Sequence, residues 1–336
     1  MVNIFRGKNI LVTGGSGSIG SEIVRKVLQS EPEVVRVLSN DENALFNLEQ
    51  ELQKYSNLRF LVGDVRDKER LRRAVENTDF VFHAAALKHV PLCEYNPFDA
   101  VKTNVLGTQN VIEAAMEEEV EKLITISTDK AVSPVNVMGA TKLLAERLTI
   151  SANYYKGLRR TAFSCVRFGN VLGSRGSALP LFRMQIENGG PITITDPNMT
   201  RFVMSISKAV ELVFKAAEVA QGGEIFVLKM PVLRIGDLAE VMVKALAAQY
   251  GHRPEHIQLQ IIGKRLGEKR DEALMTEEEA ENAYETQDMF VVLPEIAGEQ
   301  TRPGDKVSRN YISRDQPLLT KQQIEVLLQE IAQEAF

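Results

Sequence analysis

Two stretches of this chain carry residue types that do chemistry. Ser127-Thr128-Asp129-Lys130 sets a carboxylate, an ammonium and two hydroxyls side by side, an acid and a base placed to work together near neutral pH. Met138-Gly139-Ala140-Thr141-Lys142 adds a second ammonium, four residues after Met138 and so on the same face of a helix. Lys142 is placed to hydrogen-bond a nicotinamide ribose, where its charge would favour hydride acceptance. Beside a positively charged nicotinamide, Asp129 and Lys130 would titrate as a coupled pair, with the lysine's pKa pushed down.

The second stretch, Thr13-Gly14-Gly15-Ser16-Gly17-Ser18-Ile19-Gly20, reads as a cradle for a dinucleotide pyrophosphate. Gly15, Gly17 and Gly20 allow a tight turn, close backbone approach and close packing of the helix that follows. That helix's N-terminus offers unpaired N–H groups and the positive end of its dipole. Asp41, 21 residues after Gly20, is placed to accept hydrogen bonds from both adenosine ribose hydroxyls. Asn40 precedes it, and no Arg or Lys follows within the next several positions, which favours NAD over NADP. Arg66 is the nearby cation able to reach across. Asp64, at a strand end, is expected to face the adenine, and His83 to end a strand beside the cofactor. His83, His89, His252 and His256 show no ligand spacing, so no metal is expected.

Elements that would position these groups are legible in the periodicity. Apolar, mostly β-branched runs at 9–13, 34–38, 58–62, 80–83, 122–127 and 161–166 predict strands. Stretches at 19–29, 42–54, 68–76, 97–118 and 138–156 carry apolar residues at helical spacing. The alternation predicts an α/β fold, a Rossmann-like doubly wound parallel sheet with ligands at the carboxyl ends of its strands. Every chemical motif begins just after a predicted strand. Past residue 170 glycines and prolines interrupt the pattern, then 205–220 reads as helix and 224–228 as strand. We expect a cofactor domain over 1–170, with 203–230 returning to it. A smaller C-terminal α/β substrate-binding domain is expected over 171–202 and 231–336. Thr276-Glu277-Glu278-Glu279 reads as a capping box opening a helix whose charges form a solvated face. The stretch 320–335 reads as a closing amphipathic helix that packs.

Bulk properties set the class. The chain's 336 residues suit one large domain plus a smaller one. A net charge of −5 offers no broad basic field, so nucleic acid is not an expected partner. Cys93 and Cys165 have no C-x-x-C spacing and read as reduced core thiols. No apolar run approaches the roughly 20 residues needed to span a bilayer, and the N-terminus is too short and polar for a signal peptide. A cytoplasmic protein is expected.

These residues resemble the UDP-N-acetylglucosamine 4,6-dehydratase group of the extended short-chain dehydrogenase/reductases, which serves surface polysaccharide and glycan biosynthesis. The resemblance rests on the glycine loop, on His83-Ala84-Ala85-Ala86-Leu87-Lys88-His89-Val90-Pro91, on Thr103-Asn104-Val105-Leu106-Gly107-Thr108 and on Ser127-Thr128-Asp129-Lys130. It continues through Arg167-Phe168-Gly169-Asn170-Val171-Leu172-Gly173-Ser174-Arg175-Gly176-Ser177, Thr200-Arg201-Phe202, Gly267-Glu268-Lys269 and Leu274-Met275-Thr276. It implies a tightly bound, recycled NAD(P)+ contacted by Gly14 to Gly20, Asn40, Asp41, Asp64, Val65, Ala84, Ala85, Ala86, Asn104 and Lys142. It also implies a UDP-N-acetylhexosamine substrate. Lys88 would lie over the sugar, and Asn170, Arg175, Arg201, Arg265 and Lys269 are candidates for its diphosphate, since guanidinium pairs bidentately with phosphate oxygens. By this resemblance a 4-keto sugar forms, Lys130 removes the C5 proton, Asp129 protonates the departing C6 hydroxyl, and hydride returns to C6. Relatives assemble as dimers or hexamers, with 173–197 a candidate interface arm.

One departure stands out. Most short-chain dehydrogenases carry Tyr-x-x-x-Lys, where this chain has Met138, and a thioether is no useful base. A subset of the dehydratase group is similar in carrying Met there. Asp129, or a water held by Thr128, is the expected substitute. A UDP-sugar 4-epimerase and a non-catalytic dinucleotide sensor are the alternatives. The first generally relies on the missing tyrosine, and neither needs the Asp129–Lys130 pair.

Overall fold

Alternating β-branched runs and amphipathic stretches build the first half of the chain. The computed structural model describes residues 3–265, 267–294 and 303–334. Its first elements are β1 (Asn9–Thr13), α1 (Ser18–Leu28), β2 (Val34–Ser39), α2 (Glu42–Leu52), β3 (Leu58–Val62), α3 (Lys68–Val75) and β4 (Phe80–His83). There follow α4 (Val90–Tyr95), α5 (Pro97–Val101), a π turn (Lys102–Leu106), α6 (Gly107–Glu117), β5 (Lys122–Thr128), α7 (Val137–Tyr155) and β6 (Ala162–Phe168). Next come β7 (Asn170–Val171), α8 (Ala178–Glu187), β8 (Ile192–Ile194), β9 (Thr200–Met204), α9 (Ile206–Val219), β10 (Ile225–Leu228), β11 (Val232–Arg234) and α10 (Ile235–Leu246). The chain closes with β12 (Leu259–Ile261), β13 (Ala273–Met275), α11 (Glu277–Ala280), β14 (Ala283–Glu285), β15 (Met289–Val292), β16 (Asp305–Lys306), β17 (Tyr311–Ile312) and α12 (Lys321–Glu334).

One ten-stranded sheet runs β16-β14-β15-β10-β6-β5-β4-β1-β2-β3. From β3 through β10 every pairing is parallel, and the strands are apolar because helices cover both faces. Strand order reverses between β1 and β4, and that crevice is where such folds hold ligands. The doubly wound expectation is met. The sheet then continues with antiparallel β15, β14 and β16. Strands β14, β15 and β16, grouped with the second region on sequence, thus cover the edge that β10 would otherwise expose.

Three details depart from the sequence reading. The helix expected over 97–118 is broken: Pro97 opens the short α5, and the π turn turns Asn104 inward to near-complete burial, a distortion that recurs at functional sites. Helix α4 was not anticipated. The Thr276 capping box forms as expected, and Glu277 and Glu278 stand exposed, but Glu279 leaves that solvated face to pair with the buried Arg167.

A separate apolar cluster that includes Phe182, Ile186, Ile192, Leu238, Met242 and Ile324 holds α8, α10 and α12 together. Helix α12 packs through Ile324, Leu327, Leu328 and Ile331; Ala335, the expected end of that helix, lies outside the described residues. Cys93 and Cys165 are free and buried. Among the described residues no helix is long and apolar enough to cross a membrane.

Candidate active site

The cradle depends on approaches that only glycine allows. Gly14 has φ +65°, and a Cβ there would sit 2.6 Å from the Ala85 nitrogen. At Gly20 a Cβ would collide with the Gly14 carbonyl. At Gly17 it would meet that carbonyl oxygen at 3.1 Å and otherwise open space. Helix α1 starts there with no side-chain cap and no acid in its first turn, so its N–H groups face that space with the positive end of the dipole. The Ser16 hydroxyl donates to Ser39 Oγ at 2.7 Å, and Gly15 N to the Leu38 carbonyl at 3.2 Å. Ser18 and Ile19 complete the helix start. These features fit a dinucleotide pyrophosphate.

Asp41 caps α2, with Oδ1 accepting from Ala44 N at 3.0 Å. Its Oδ2 lies 3.9 Å from the Arg175 guanidinium. Arg175, expected at the substrate diphosphate, sits on the cradle instead: its guanidinium donates to the Ser16 carbonyl and its backbone N to Ser18 Oγ at 3.0 Å. Arg66 does not reach Asp41. It bonds both Asp64 oxygens, at 2.9 and 2.7 Å, and Asn40 adds a bond at 3.1 Å. The Arg66 bond, foremost, holds the Asp64 carboxyl below the usual carboxylate range. The cation beside Asp41 therefore comes from far along the chain, and the local-sequence argument for NAD over NADP lapses.

Behind the cradle, the Ala84 N donates to the Thr13 carbonyl at 3.0 Å, and Ala85 and Ala86 are half-buried. Val65 is a core residue packed on Gly107. Asn104 spends its polar atoms on the protein: it accepts from Leu87 N at 2.8 Å, donates to the Leu87 carbonyl at 3.0 Å and to Thr141 Oγ1 at 3.0 Å. It ties the 84–88 loop to α7. His83 lies between the Thr13 and Thr108 hydroxyls, 2.7 and 2.9 Å away. Burial pushes its pKa down to about 3, with Lys142 adding to the effect, so the imidazole is uncharged.

The reactive groups gather where β5 ends. A single 3-10 turn (Asp129–Ala131) brings the chain under the start of α7, and Gly139 permits the contact: a Cβ there would collide with the Lys130 carbonyl. Asn136 caps α7 through Gly139 N at 2.7 Å, and Glu94 accepts from Val137 N at 2.6 Å. Asp129 is wholly buried. Its Oδ1 accepts from Thr128 Oγ1 at 2.7 Å and from Lys130 Nζ at 2.9 Å. Its Oδ2 is enclosed with no partner among the described residues.

The depression of Lys130 is expected beside a positively charged nicotinamide; in the protein alone the shift runs upward. Burial lowers its pKa, but Asp129 and Glu272 together outweigh that and hold it above the ordinary lysine value. Lys142, buried, donates to the Ile126 carbonyl at 2.7 Å; burial brings its pKa down, against the pull of Glu146. Met138 is 3% exposed and packs with Cys93 and Ala100.

On the opposite wall the Arg201 guanidinium is spent on the carbonyls of Thr200, Arg270 and Lys269, at 2.8, 2.9 and 2.9 Å. It braces the 268–272 segment, 3.6 Å from Glu268, rather than standing open to a diphosphate. Lys269 donates to the Val132 carbonyl at 2.5 Å. Lys88 donates to the Arg175 carbonyl at 2.6 Å, Asn170 to the Phe202 carbonyl at 3.2 Å, and Arg265 is exposed. Thus Asp129, Lys130, Arg201 and Lys269 converge, while Arg175 and Arg265 stand apart from them.

A fifth member of the cluster, Glu272, escaped the sequence reading. It is 3% exposed, with Oε1 3.8 Å from Lys130 Nζ and 3.9 Å from Arg201 Nε. In sequence it is one acid among many; its place between the Gly267-Glu268-Lys269 and Leu274-Met275-Thr276 motifs was the available cue. Behind α7, fully buried Arg167 bonds Glu146 at 3.0 and 2.7 Å, Glu279 at 2.8 Å through each of two nitrogens, and the Leu274 carbonyl at 2.9 Å. All five guanidinium N–H groups are used. The bridge locks α7, one turn past Lys142, to the β13–α11 segment that directly follows Glu272.

The chain is similar to known proteins. The pattern for polysaccharide biosynthesis proteins matches residues 10–294. A Methanocaldococcus jannaschii protein named as an uncharacterized membrane protein is 62% identical over 330 residues, 98% of each chain. A Campylobacter jejuni protein named UDP-N-acetylglucosamine 4,6-dehydratase (inverting) is 43% identical over 295 residues, 87% of this chain and 85% of that one. Relatives named UDP-glucose 4-epimerase, from Rickettsia, also match. The X-ray structure of Pen from Bacillus thuringiensis aligns with a TM-score of 0.92 at 46% identity, covering 97% of this chain and 98% of that one. With its motifs, its parallel sheet and these matches in agreement, the chain belongs to the polysaccharide biosynthesis protein family, in the UDP-N-acetylglucosamine 4,6-dehydratase group of the extended short-chain dehydrogenase/reductases.

Proposed function

We propose that this protein is a UDP-N-acetylglucosamine 4,6-dehydratase working with NAD(P)+. The observation that carries the reading is the Asp129–Lys130 pair, linked at 2.9 Å where β5 opens beside the glycine cradle. The name of the Campylobacter relative supports the substrate class. A dinucleotide held by the Gly14–Gly20 cradle, Asp41 and Lys142 supplies a hydride acceptor that is restored within each turnover, so it can stay bound.

The chain's own residues manage protons. Thr128, whose hydroxyl already donates to Asp129, accepts the C4 hydroxyl proton and passes its own to Asp129. That route replaces the missing tyrosine. Lys130 removes the C5 proton, which a C4 ketone acidifies, and Asp129 protonates the C6 hydroxyl as it leaves. Such positioned acid–base groups are worth about 100- to 10,000-fold each. An epimerase needs C4 oxidation without elimination and gives the Asp129–Lys130 pair no task; a dinucleotide sensor gives it none either.

In this reading residues 1–170 and 203–230 serve the cofactor, joined by Arg175 on the cradle and by β14, β15 and β16 on the sheet edge. The remainder of 171–202 and 231–336 forms the sugar-nucleotide side. The protein acts in the cytoplasm as a homo-oligomer, a dimer or hexamer. Incubation with UDP-N-acetylglucosamine tests the reading: a 4-keto-6-deoxy product supports it, UDP-N-acetylgalactosamine selects the epimerase, and an unchanged substrate selects the sensor. Asp129→Asn and Lys130→Ala should each abolish dehydration, and full turnover by either would overturn these roles.

A further inference from the structure

Lys130 must act as a free amine, yet it lies between two carboxylates, Asp129 at 2.9 Å and Glu272 at 3.8 Å. An ammonium has to lose a proton before it can take one. Asp129 is not the acceptor, because it must hold the C4 hydroxyl proton for delivery to the C6 oxygen. Glu272 is the other carboxylate within reach. Its Oε2 is enclosed and without a partner among the described residues. Its main chain is pinned on both sides by Ser313, whose Oγ accepts from Glu272 N at 2.9 Å and whose N donates to the Glu272 carbonyl at 2.8 Å. The carboxyl is thus fixed beside the lysine while keeping room for a proton.

We propose that Glu272 is a positioning residue acting through Lys130, taking the lysine's proton for the elimination and returning it at the end of the turnover. This rests on the dehydratase reading. The proton count closes. At rest Asp129 and Glu272 are ionised and Lys130 is an ammonium. As the C4 carbinol loses its hydride and becomes a ketone, its hydroxyl proton passes through Thr128 to Asp129. The Lys130 proton crosses to Glu272, leaving an amine. The C5–H bond breaks, its proton goes to Lys130, and its electron pair forms the C5–C6 double bond. The C6–O bond breaks, and the oxygen leaves as water with the Asp129 proton. Hydride returns to C6, Lys130 protonates C5, and Glu272 hands its proton back to Lys130. One water is released and every side chain is restored.

The surroundings suit this task. Charged groups facing Glu272 are Asp129 and Lys130 from the 3-10 turn, Arg201 from β9, and Lys269 from its own segment. Burial first, then Asp129, raise its pKa above the usual glutamate range, against the three cations. A more basic carboxylate is a better proton acceptor for an amine.

Glu272→Gln keeps the shape and cannot take the proton. With UDP-N-acetylglucosamine, the variant should still show reduced-nicotinamide absorbance in a single turnover, while kcat for dehydration falls by about 100-fold or more and solvent deuterium no longer enters C5. Glu272→Asp should restore part of the rate. A second readout needs no activity: in carbon-13 lysine NMR of the protein without substrate, assigned with Lys130→Arg, Lys130 should titrate about one unit or more lower in Glu272→Gln, because a facing carboxylate is gone. Dehydration by Glu272→Gln within about threefold of wild type, or a Lys130 titration that does not move, would overturn the proposal. So would a folded Glu272→Gln that loses cofactor reduction together with elimination, which marks a general structural role. A wild-type protein that neither reduces its cofactor nor converts the sugar sinks the dehydratase reading and the proton cycle with it. The NMR arm would then still decide whether Glu272 governs Lys130.

Discussion

Arg167→Met probes how the reaction centre is held in place. Arg167 is fully buried, and its guanidinium joins Glu146 of α7 to Glu279 of α11 through bidentate pairs. Methionine fills comparable space but strands two carboxylates against one another. Removing one partner from a buried ionic group costs roughly 3–5 kcal/mol, a large share of the ~5–15 kcal/mol that holds a typical domain together. At about 2–4 °C per kcal/mol for a chain somewhat smaller than this one, the melting temperature should fall by roughly 6–20 °C. Calorimetry or circular dichroism reads this directly.

The pH dependence gives the sign. In the wild type, burial raises the Glu279 pKa but Arg167 more than offsets it, leaving the folded value below the unfolded one. That stabilisation is present above the unfolded carboxylate pKa and is lost as pH falls through the folded value. In Arg167→Met the Glu279 carboxyl keeps the upward push of burial and loses the offset from Arg167. It therefore binds its proton more tightly folded than unfolded, and the variant gains stability as pH falls. The gap in melting temperature should therefore narrow between pH 7 and pH 5. A fall of less than about 2 °C, or a gap that widens on acidification, would refute the buried bridge.

Three other outcomes are expected. Gly139→Ala forces a methyl against the Lys130 carbonyl; overpacking of this kind costs about 1–3 kcal/mol, and kcat should fall more than substrate affinity because the Asp129–Lys130 turn is what moves. Met138→Tyr should leave the enzyme active or improve it, since it adds a proton acceptor, though the Cys93 and Ala100 pocket must make room and the melting temperature should drop. Arg175→Ala should weaken NADP+ binding more than NAD+ binding in titration calorimetry, because its guanidinium is the cation beside Asp41; equal weakening would restrict Arg175 to bracing the loop.

What the sequence could disclose follows from the range of each interaction. The glycine cradle, the α2 cap at Asp41 and the Asp129–Lys130 pair are built within a few residues of one another, at strand ends that periodicity marks plainly. Arg175 lies 157 residues from the Ser18 hydroxyl it meets, and nothing local announces that contact. Glu272 and Glu279 look alike as acids in a polar stretch. Packing alone separates one beside a lysine from one beneath an arginine, and both from their solvated neighbours. The π turn at Lys102–Leu106 was equally hidden, because its apolar residues keep a helical rhythm. Against burial, the upward shift of Lys130 comes first from its neighbour Asp129 and then from Glu272, and only the folded chain reveals the second.

Central to the mechanism is one ammonium and one carboxyl acting on adjacent carbons of a sugar ring. Proton and deuterium NMR of the product formed from UDP-N-acetylglucosamine in deuterated water tests this most directly. A 4-keto sugar with deuterium at C5 and a C6 methyl free of deuterium is the expected result. UDP-N-acetylgalactosamine, or a substrate left unaltered with an intact C6 hydroxyl, would contradict it.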